Sequence, residues 1–248
     1  SQPLTANTFP MRLLSRTLLL AAATLSVAVA SAAPDDVHPV GNTTNDTWIN
    51  SVSGDGLTSV GRTTINIGPG FMNAFKLVGG NYIALNPSTG HQNAIATAVS
   101  DDGSLVVGFS IDNSSNTRAV YWNGTAPTLL DYLPYFLFSE ATCINANGTI
   151  IIGWGFGYNG SSREEFAFWE GGSTFLYGNL IDSVNASKGV GISADGSIMV
   201  GTVASDFSVP TLMRGFIYER GVGSIQISAH TAITDFSNNG LHFTQVTG

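Results

Sequence analysis

The sequence predicts an all-β fold, a β-propeller-like array of four to five four-stranded units of about 46 residues each. Two recurring blocks and the overall composition lead there. The first block reads SVSGDGLTSVG (51–61), AVSDDGSLVVG (98–108), CINANGTIIIG (143–153), GISADGSIMVG (191–201) and, less completely, DFSNNGLHF (235–243). Its turn glycines, Gly56, Gly103, Gly148, Gly196 and Gly240, are spaced by 47, 45, 48 and 44 residues. The second block follows about twenty residues later as NAFKLVGG (73–80), RAVYWNGT (118–125), EFAFWEGG (165–172) and RGFIYERG (214–221). Only 10% of residues are charged, whereas 43% are hydrophobic and 29 are glycine, so the chain has material for a core and a surface of Asn, Ser and Thr.

Each unit has a mechanical reading. An apolar residue (Val52, Val99, Ile144, Ile192, Phe236) ends a first strand. Asp55-Gly56, Asp102-Gly103, Asn147-Gly148, Asp195-Gly196 and Asn239-Gly240 then read as tight hairpins in which both residues take positive φ. Ser53, Ser100, Asn145, Ser193 and Ser237 are placed to hydrogen-bond their own turn. A β-branched run such as Leu105-Val106-Val107 or Ile150-Ile151-Ile152 is the second strand, apolar on both faces and hence buried on both. Gly61, Gly108, Gly153 and Gly201, five residues after the turn, mark close approach of neighbouring backbones. The second block is an aromatic third strand ending in a glycine turn, and a fourth apolar stretch follows, as at Tyr82–Leu85, Thr128–Leu133 and Thr174–Leu180. A β-helix or solenoid is the alternative architecture, but its repeats are shorter.

Before the repeats lies an export signal. Residues 1–10 precede the plausible start at Met11 and read as a non-native or untranslated leader. Residues 11–32 have the plan of a signal peptide: Arg12 and Arg16, the apolar run Leu18–Ala30, and small residues at Ala30-Ser31-Ala32 with cleavage between Ala32 and Ala33. The apolar run is shorter than the ~20 residues a membrane-spanning helix needs. Residues 33–47 form a polar linker, and 48–248 the repeat domain, with the pattern still running at Gly248.

The pairing of an [SN]-x-[DN]-G-x-x-x-x-G block with an A-F-x-W-x-G-G block resembles the HAF family of extracellular repeats. The resemblance covers residues 48 to 248 and rests on structural consensus positions. The family's His is replaced by Asn73, Arg118, Glu165 and Arg214, its Trp column holds Leu77, Trp122, Trp169 and Tyr218, and the third copy reverses Ala-Phe into Phe166-Ala167. The resemblance implies a secreted or cell-surface location, including the passenger of an autotransporter, and implies no reaction.

Charge and motif exclude several functions. The net charge is −8, and the first 33 residues contribute Arg12 and Arg16 but no acid, so the remainder carries seven basic and seventeen acidic residues, or −10. Nucleic acid and anionic lipid require a basic patch, so neither is an expected partner, and no membrane insertion of the mature domain is expected. The turn acids Asp55, Asp102 and Asp195 stand too far apart for calcium, which takes 6–8 oxygens. His38, His91, His230 and His242 lack zinc spacing, Cys143 is single and reads as a small buried hydrophobe, and Glu164 and Glu165 face opposite sides of a strand. No Gly-x-Ser-x-Gly or His-Glu-x-x-His motif occurs. We therefore expect no cofactor, no metal and no catalytic residue.

Arg118, Arg163 and Arg214 suit carboxylate recognition, but two share a repeat position and read as blade-to-blade contacts. The aromatic set Phe75, Trp122, Trp169 and Tyr218 reads as core packing rather than a sugar platform. Trp48, Trp154, Asp131 and Asp206 break the repeat and are the ligand-contact candidates, with Glu140 a further unrepeated acid. Seven N-glycosylation sequons, including Asn147 in a repeat turn, accompany the Asn-rich composition. The expected function is non-enzymatic: adhesion, binding or surface display toward glycans, matrix or neighbouring cells. The alternative is a lectin or glycan-active enzyme built on a propeller's central cavity.

Overall fold

The computed structural model describes residues 46–64, 72–130, 136–158, 162–177, 186–205, 213–229, 231–236 and 243–247. The leader, the signal peptide and nearly all of the polar linker lie outside these residues, as do Asp131, Asp206, Asn239 and Gly240. All described strands fall in the compact unit His38–Gly248.

Four antiparallel sheets follow one another along the chain, each strand pairing with the next in sequence. The first contains β1 (Thr47–Val52), β2 (Thr58–Thr63), β3 (Asn73–Val78) and β4 (Asn81–Leu85); the second contains β5 (His91–Val99), β6 (Leu105–Asp112), β7 (Thr117–Asn123) and β8 (Pro127–Leu129). The third contains β9 (Phe136–Ile144), β10 (Ile150–Tyr158), β11 (Ser162–Glu170) and β12 (Ser173–Tyr177). The fourth contains β13 (Ala186–Ile192), β14 (Ile198–Ala204), β15 (Met213–Glu219) and β16 (Gly223–Ala229). A hairpin of β17 (Thr231–Phe236) and β18 (Phe243–Thr247) joins the fourth sheet through one parallel bridge, Arg214 with Thr231. The sequential antiparallel meander gives propeller blades and rules out the β-helix, whose rungs pair in parallel.

The core lies between blades. Val60, Ala74 and Leu85 of the first blade meet Ala94, Val106 and Trp122 of the second. The layer between the second and third blades is built from small residues, Ala98, Ala119, Ala141 and Ala167, with Val107, Ile151 and Trp169. The third and fourth blades share Ile152, Phe166, Met199 and Phe216, with the Phe166 and Phe216 rings edge-on at 5.4 Å. The second strands are buried on both faces, as their sequence predicts: Val106, Val107, Ile152 and Val200 are fully enclosed. The aromatic set needs one correction. Strand register places Phe75 opposite Gly61, in the column of Val120, Ala167 and Phe216, while Leu77 shares a column with Trp122, Trp169 and Tyr218. Matching by aromatic type shifted Phe75 by two residues, which keeps the face of the strand but changes the neighbour.

The turns also differ from the expected two-residue hairpin. Ser53 N–H donates to Thr58 O (2.8 Å) and Gly56 N–H to Ser53 O (2.9 Å), and the same pair of bonds recurs from Ser100, Asn145 and Ser193. Each loop thus holds four residues, a β-turn followed by a left-handed glycine. Only the glycines take positive φ, at 73°, 70°, 74° and 76° for Gly56, Gly103, Gly148 and Gly196. The Asp or Asn stays right-handed because its carboxyl or amide oxygen accepts the N–H two residues ahead, from Leu57, Ser104, Thr149 or Ser197. The predicted Ser or Asn role holds: the oxygens of Ser53, Ser100, Asn145 and Ser193 accept the N–H that opens the second strand.

The closing glycines sit where no side chain fits. A Cβ on Gly61, Gly108, Gly153 or Gly201 would lie 1.9, 2.0, 1.9 or 2.1 Å from the carbonyl oxygen of Trp48, Ile95, Glu140 or Lys188 on the adjacent first strand. Gly153→Ala should therefore cost more than about 3 kcal/mol, among the largest single-site effects. Urea denaturation of the variant checks this, and a change under ~0.5 kcal/mol would show that the approach is dispensable.

The turn acids set an acid limit. The Ser100 hydroxyl and the Ser104 backbone N–H hold the Asp102 carboxyl at about 2, and Ser193 with Ser197 do the same for Asp195. A depressed carboxyl stabilises the fold above its ordinary value of 3.8 and loses that contribution as pH falls through about 2. The melting temperature should drop across that window, and Asp102→Asn should flatten part of the drop. Asn147 already fills the equivalent place in the third blade.

Candidate functional site

Each first strand carries an extra residue relative to its partner at the same repeat position, and β5 and β9 each have a second slip nearer their start. The register slips between Ile49 and Ser51, between Ala96 and Ala98, and between Gly189 and Gly191, and in β9 Cys143 and Ala141 face consecutive residues of β10. Asn50, Thr97, Thr142 and Val190 are thus bulged out of the ladder, and the Thr97 and Thr142 hydroxyls lie between the second strand of their own sheet (Val107 O at 3.1 Å, Ile152 O at 3.2 Å) and the next blade. Asn50 Nδ2 donates to Ala96 O (2.7 Å), Thr97 Oγ1 to Ala141 O (2.8 Å) and Thr142 Oγ1 to Gly189 O (2.9 Å). Every acceptor is the residue just before the next blade's bulge. Val190 has no side-chain donor, so this succession ends at the fourth blade. A parallel run of main-chain bonds links the turns: Asp55 N–H to Asp101 O (3.3 Å), Asp101 N–H to Ala146 O (3.0 Å) and Ala146 N–H to Ala194 O (3.1 Å).

These first strands converge on a common axis and enclose a cavity of about 300 Å³, lined from all four blades by segments around Asn50–Val52, Thr97–Asp101, Thr142–Ala146 and Val190–Ala194. The lining is mostly polar, with Asn50, Ser51, Thr97, Asp101 and Thr142 among its residues. Asp101 supplies the one carboxylate among its described lining residues. Its side chain lies against Gly54, where an added Cβ would come within 2.7 Å of Asp101 Cγ. Asp101 occupies a repeat position that holds Gly54, Ala146 and Ala194 in the other blades. Sequence reading passed over it because the neighbouring Asp102 explained the turn, yet a carboxylate in a column of small residues was a visible signal. Cys143 also lines this cavity; it packs against the core of the third and fourth blades as the sequence suggested, although it is half-buried rather than enclosed and its S–H donates to Val190 O (2.8 Å).

The sequence candidates among the described residues do not line this cavity. Trp48 is exposed on β1, with the Arg62 guanidinium 4.7 Å from its ring centroid. Trp154 is half-buried between the third and fourth blades, beneath the Lys188 ammonium at 4.3 Å. Lys188 also pairs with Glu164 (2.9 Å), and burial pushes the nearby Glu140 carboxyl up while Lys188 opposes the shift. Trp154 and Glu140 are direct cross-strand neighbours, so this unrepeated group joins blades. Arg118 and Arg214 are half-buried at the start of the third strands of their blades, and the side chain of Arg163 lies outside the described residues. Among the described residues no group of three His, Cys, Asp or Glu side chains is placed to hold a metal ion.

The chain matches no protein-family profile and no curated protein sequence. Solved structures do resemble it. A putative TolB from Agrobacterium tumefaciens superposes with a TM-score of 0.52 at 11% identity, over 81% of this chain and 71% of its own. TolB from Acinetobacter baumannii gives 0.50 at 13% identity, over 72% of this chain and 43% of its own. A prolyl endopeptidase gives 0.50 at 13% identity, over 80% of this chain and 31% of its own. Likeness at these identities speaks for the fold alone, and it agrees with the strand topology: the chain folds as blades of a β-propeller.

Proposed function

We propose that this chain is a non-enzymatic, exported binding protein, a propeller scaffold that serves adhesion or surface display. The observation that carries this reading is the use made of its repeated polar side chains. Ser53, Asp55 and their equivalents close turns, and Asn50, Thr97 and Thr142 tie one blade to the next. The repeated hydrogen-bonding residues thus serve the scaffold, which leaves recognition to residues that differ between units. The resemblance to HAF-type repeats and the signal-peptide pattern of residues 11–32 support an extracellular or cell-surface location. The acidic balance favours neutral or cationic partners such as glycans or matrix.

A second reading has its own support. Asp101, alone among carboxylates in the polar axial cavity, is suited to accept hydrogen bonds from the hydroxyls of a sugar, which makes a lectin the nearest alternative.

Expression of residues 11–248 with its leader in a secreting host should release protein whose N-terminus is Ala33; retention of Met11 in the cell fraction would contradict export. On a glycan array and a panel of glycosidase and peptidase substrates, the purified chain should bind without turnover. Hydrolysis abolished by Asp101→Asn would refute the non-enzymatic reading. Binding that falls tenfold or more in Asp101→Asn would move the preferred reading to a lectin at the axial cavity.

A further inference from the structure

The first blade shows a face that the other three keep covered. Val99, Ile144 and Ile192 end the first strands of the second, third and fourth blades, and each belongs to the core shared with the blade before it. They are 7%, 9% and 5% exposed, whereas Val52, at the same position of the first blade, is 52% exposed. Ile49 is 43% exposed where Ala96 and Ala141 are fully buried. The turn glycines repeat the contrast. A Cβ on Gly103, Gly148 or Gly196 would meet Thr58, Leu105 or Ile150 of the blade before, but one on Gly56 would meet nothing within 4 Å. The same side of the first blade carries Ile49 O and Gly54 O, which hold the repeat positions of the tie acceptors Ala96 O and Ala146 O.

The last described unit supplies the complement of this face. β17 lies against β13, β14 and β15 as β5 lies against β1, β2 and β3, so it is the first strand of a fifth unit. Its register with β18 slips between Ile233 and Asp235, which puts Thr234 at a bulge. Thr234 stands three residues before Ser237, the spacing of Asn50 from Ser53 and of Thr97 from Ser100. The fifth unit therefore restores a hydrogen-bonding residue at the bulge position that Val190 leaves apolar. Face and tail are complementary parts of one repeat.

We infer that the exposed face of the first blade is a docking surface for the tail unit of a second copy of this chain, joined by the contacts that join blades within one copy. The chain's own tail rests on the fourth blade and leaves Val52 and Gly56 uncovered, so the covering unit comes from another molecule. Because face and tail are different surfaces, the pairing runs head to tail and does not stop at a two-fold dimer. Burial of Val52 and Ile49 favours the contact. The net charge of −8 on each copy opposes it, and salt relieves that repulsion. The inference holds whether or not the axial cavity binds a sugar.

Sedimentation velocity of the purified chain over about 1 to 100 µM should show species that grow with concentration, and more so at about 0.3 M than at about 0.05 M salt. Val52→Asp, a change at an exposed position, should leave the melting temperature in place and weaken association at least about tenfold. Thr234→Asp should weaken it equally from the tail. Neither variant should associate alone, but an equimolar mixture should form a single heterodimer, because the tail of the first meets the face of the second. A chain that stays monomeric at every concentration overturns the proposal, and so does association that survives Val52→Asp. Self-association of folded Thr234→Asp would mean face against face and overturns it as well. Should Thr234→Asp fail to fold, the Val52→Asp comparison decides alone.

Discussion

Everything in this array rests on one contact between main chains: the carbonyl oxygen of the first strand lying where the closing glycine of the second strand would otherwise carry a Cβ. At Gly61, Gly108, Gly153 and Gly201 that oxygen belongs to Trp48, Ile95, Glu140 and Lys188, two residues before each bulge. The close approach leaves room for one extra residue in the first strand, and the extra residue leaves the ladder. Asn50, Thr97 and Thr142 thereby gain a direction that no regular strand residue has, toward the neighbouring blade. The junction between blades is thus a product of chain geometry within a blade.

The hydrophobic layers then fill what the junctions define. They are not equal. The third and fourth blades meet through phenylalanines and a methionine, whereas the second and third meet largely through alanines. Main-chain bonds between turns recur at both junctions, with Asp101 N–H on Ala146 O and Ala146 N–H on Ala194 O, so the junctions differ in their side chains rather than in these ties.

Much of this was legible in the sequence, and the rest was hidden for identifiable reasons. The closing glycines could be read because a missing side chain at a fixed interval leaves few explanations. The turn serines and aspartates were equally clear in role, although the loop was longer than expected: the Asp-Gly pair suggests a two-residue hairpin, but the Asp side chain captures an N–H and keeps its own backbone right-handed. The bulges left no trace, since the first strands mix polar and apolar residues, as in Thr47–Val52 and His91–Val99, with no regular alternation for an extra residue to break. Phe75 was misplaced because its ring outweighed its spacing. Trp122 and Trp169 look identical in sequence, and only the fold shows that the Trp122 indole N–H reaches Asn86 O of the preceding blade.

The placement of the junction groups bears on how such a chain grows. Donor and acceptor at every tie occupy the same two positions of the unit, one bulge residue and the residue before the next bulge, so each of the first three units carries a donor suited to whichever unit follows it. Duplication or loss of one whole unit by unequal recombination would leave each remaining junction chemically complete. The bulges stand 47, 45 and 48 residues apart, so the connecting loops absorb differences in length while the tie positions stay in place. Selection on this geometry would therefore preserve the strands and their bulges while allowing loop length and the number of blades to drift. Val190, which cannot continue the succession, is a natural boundary for such exchange.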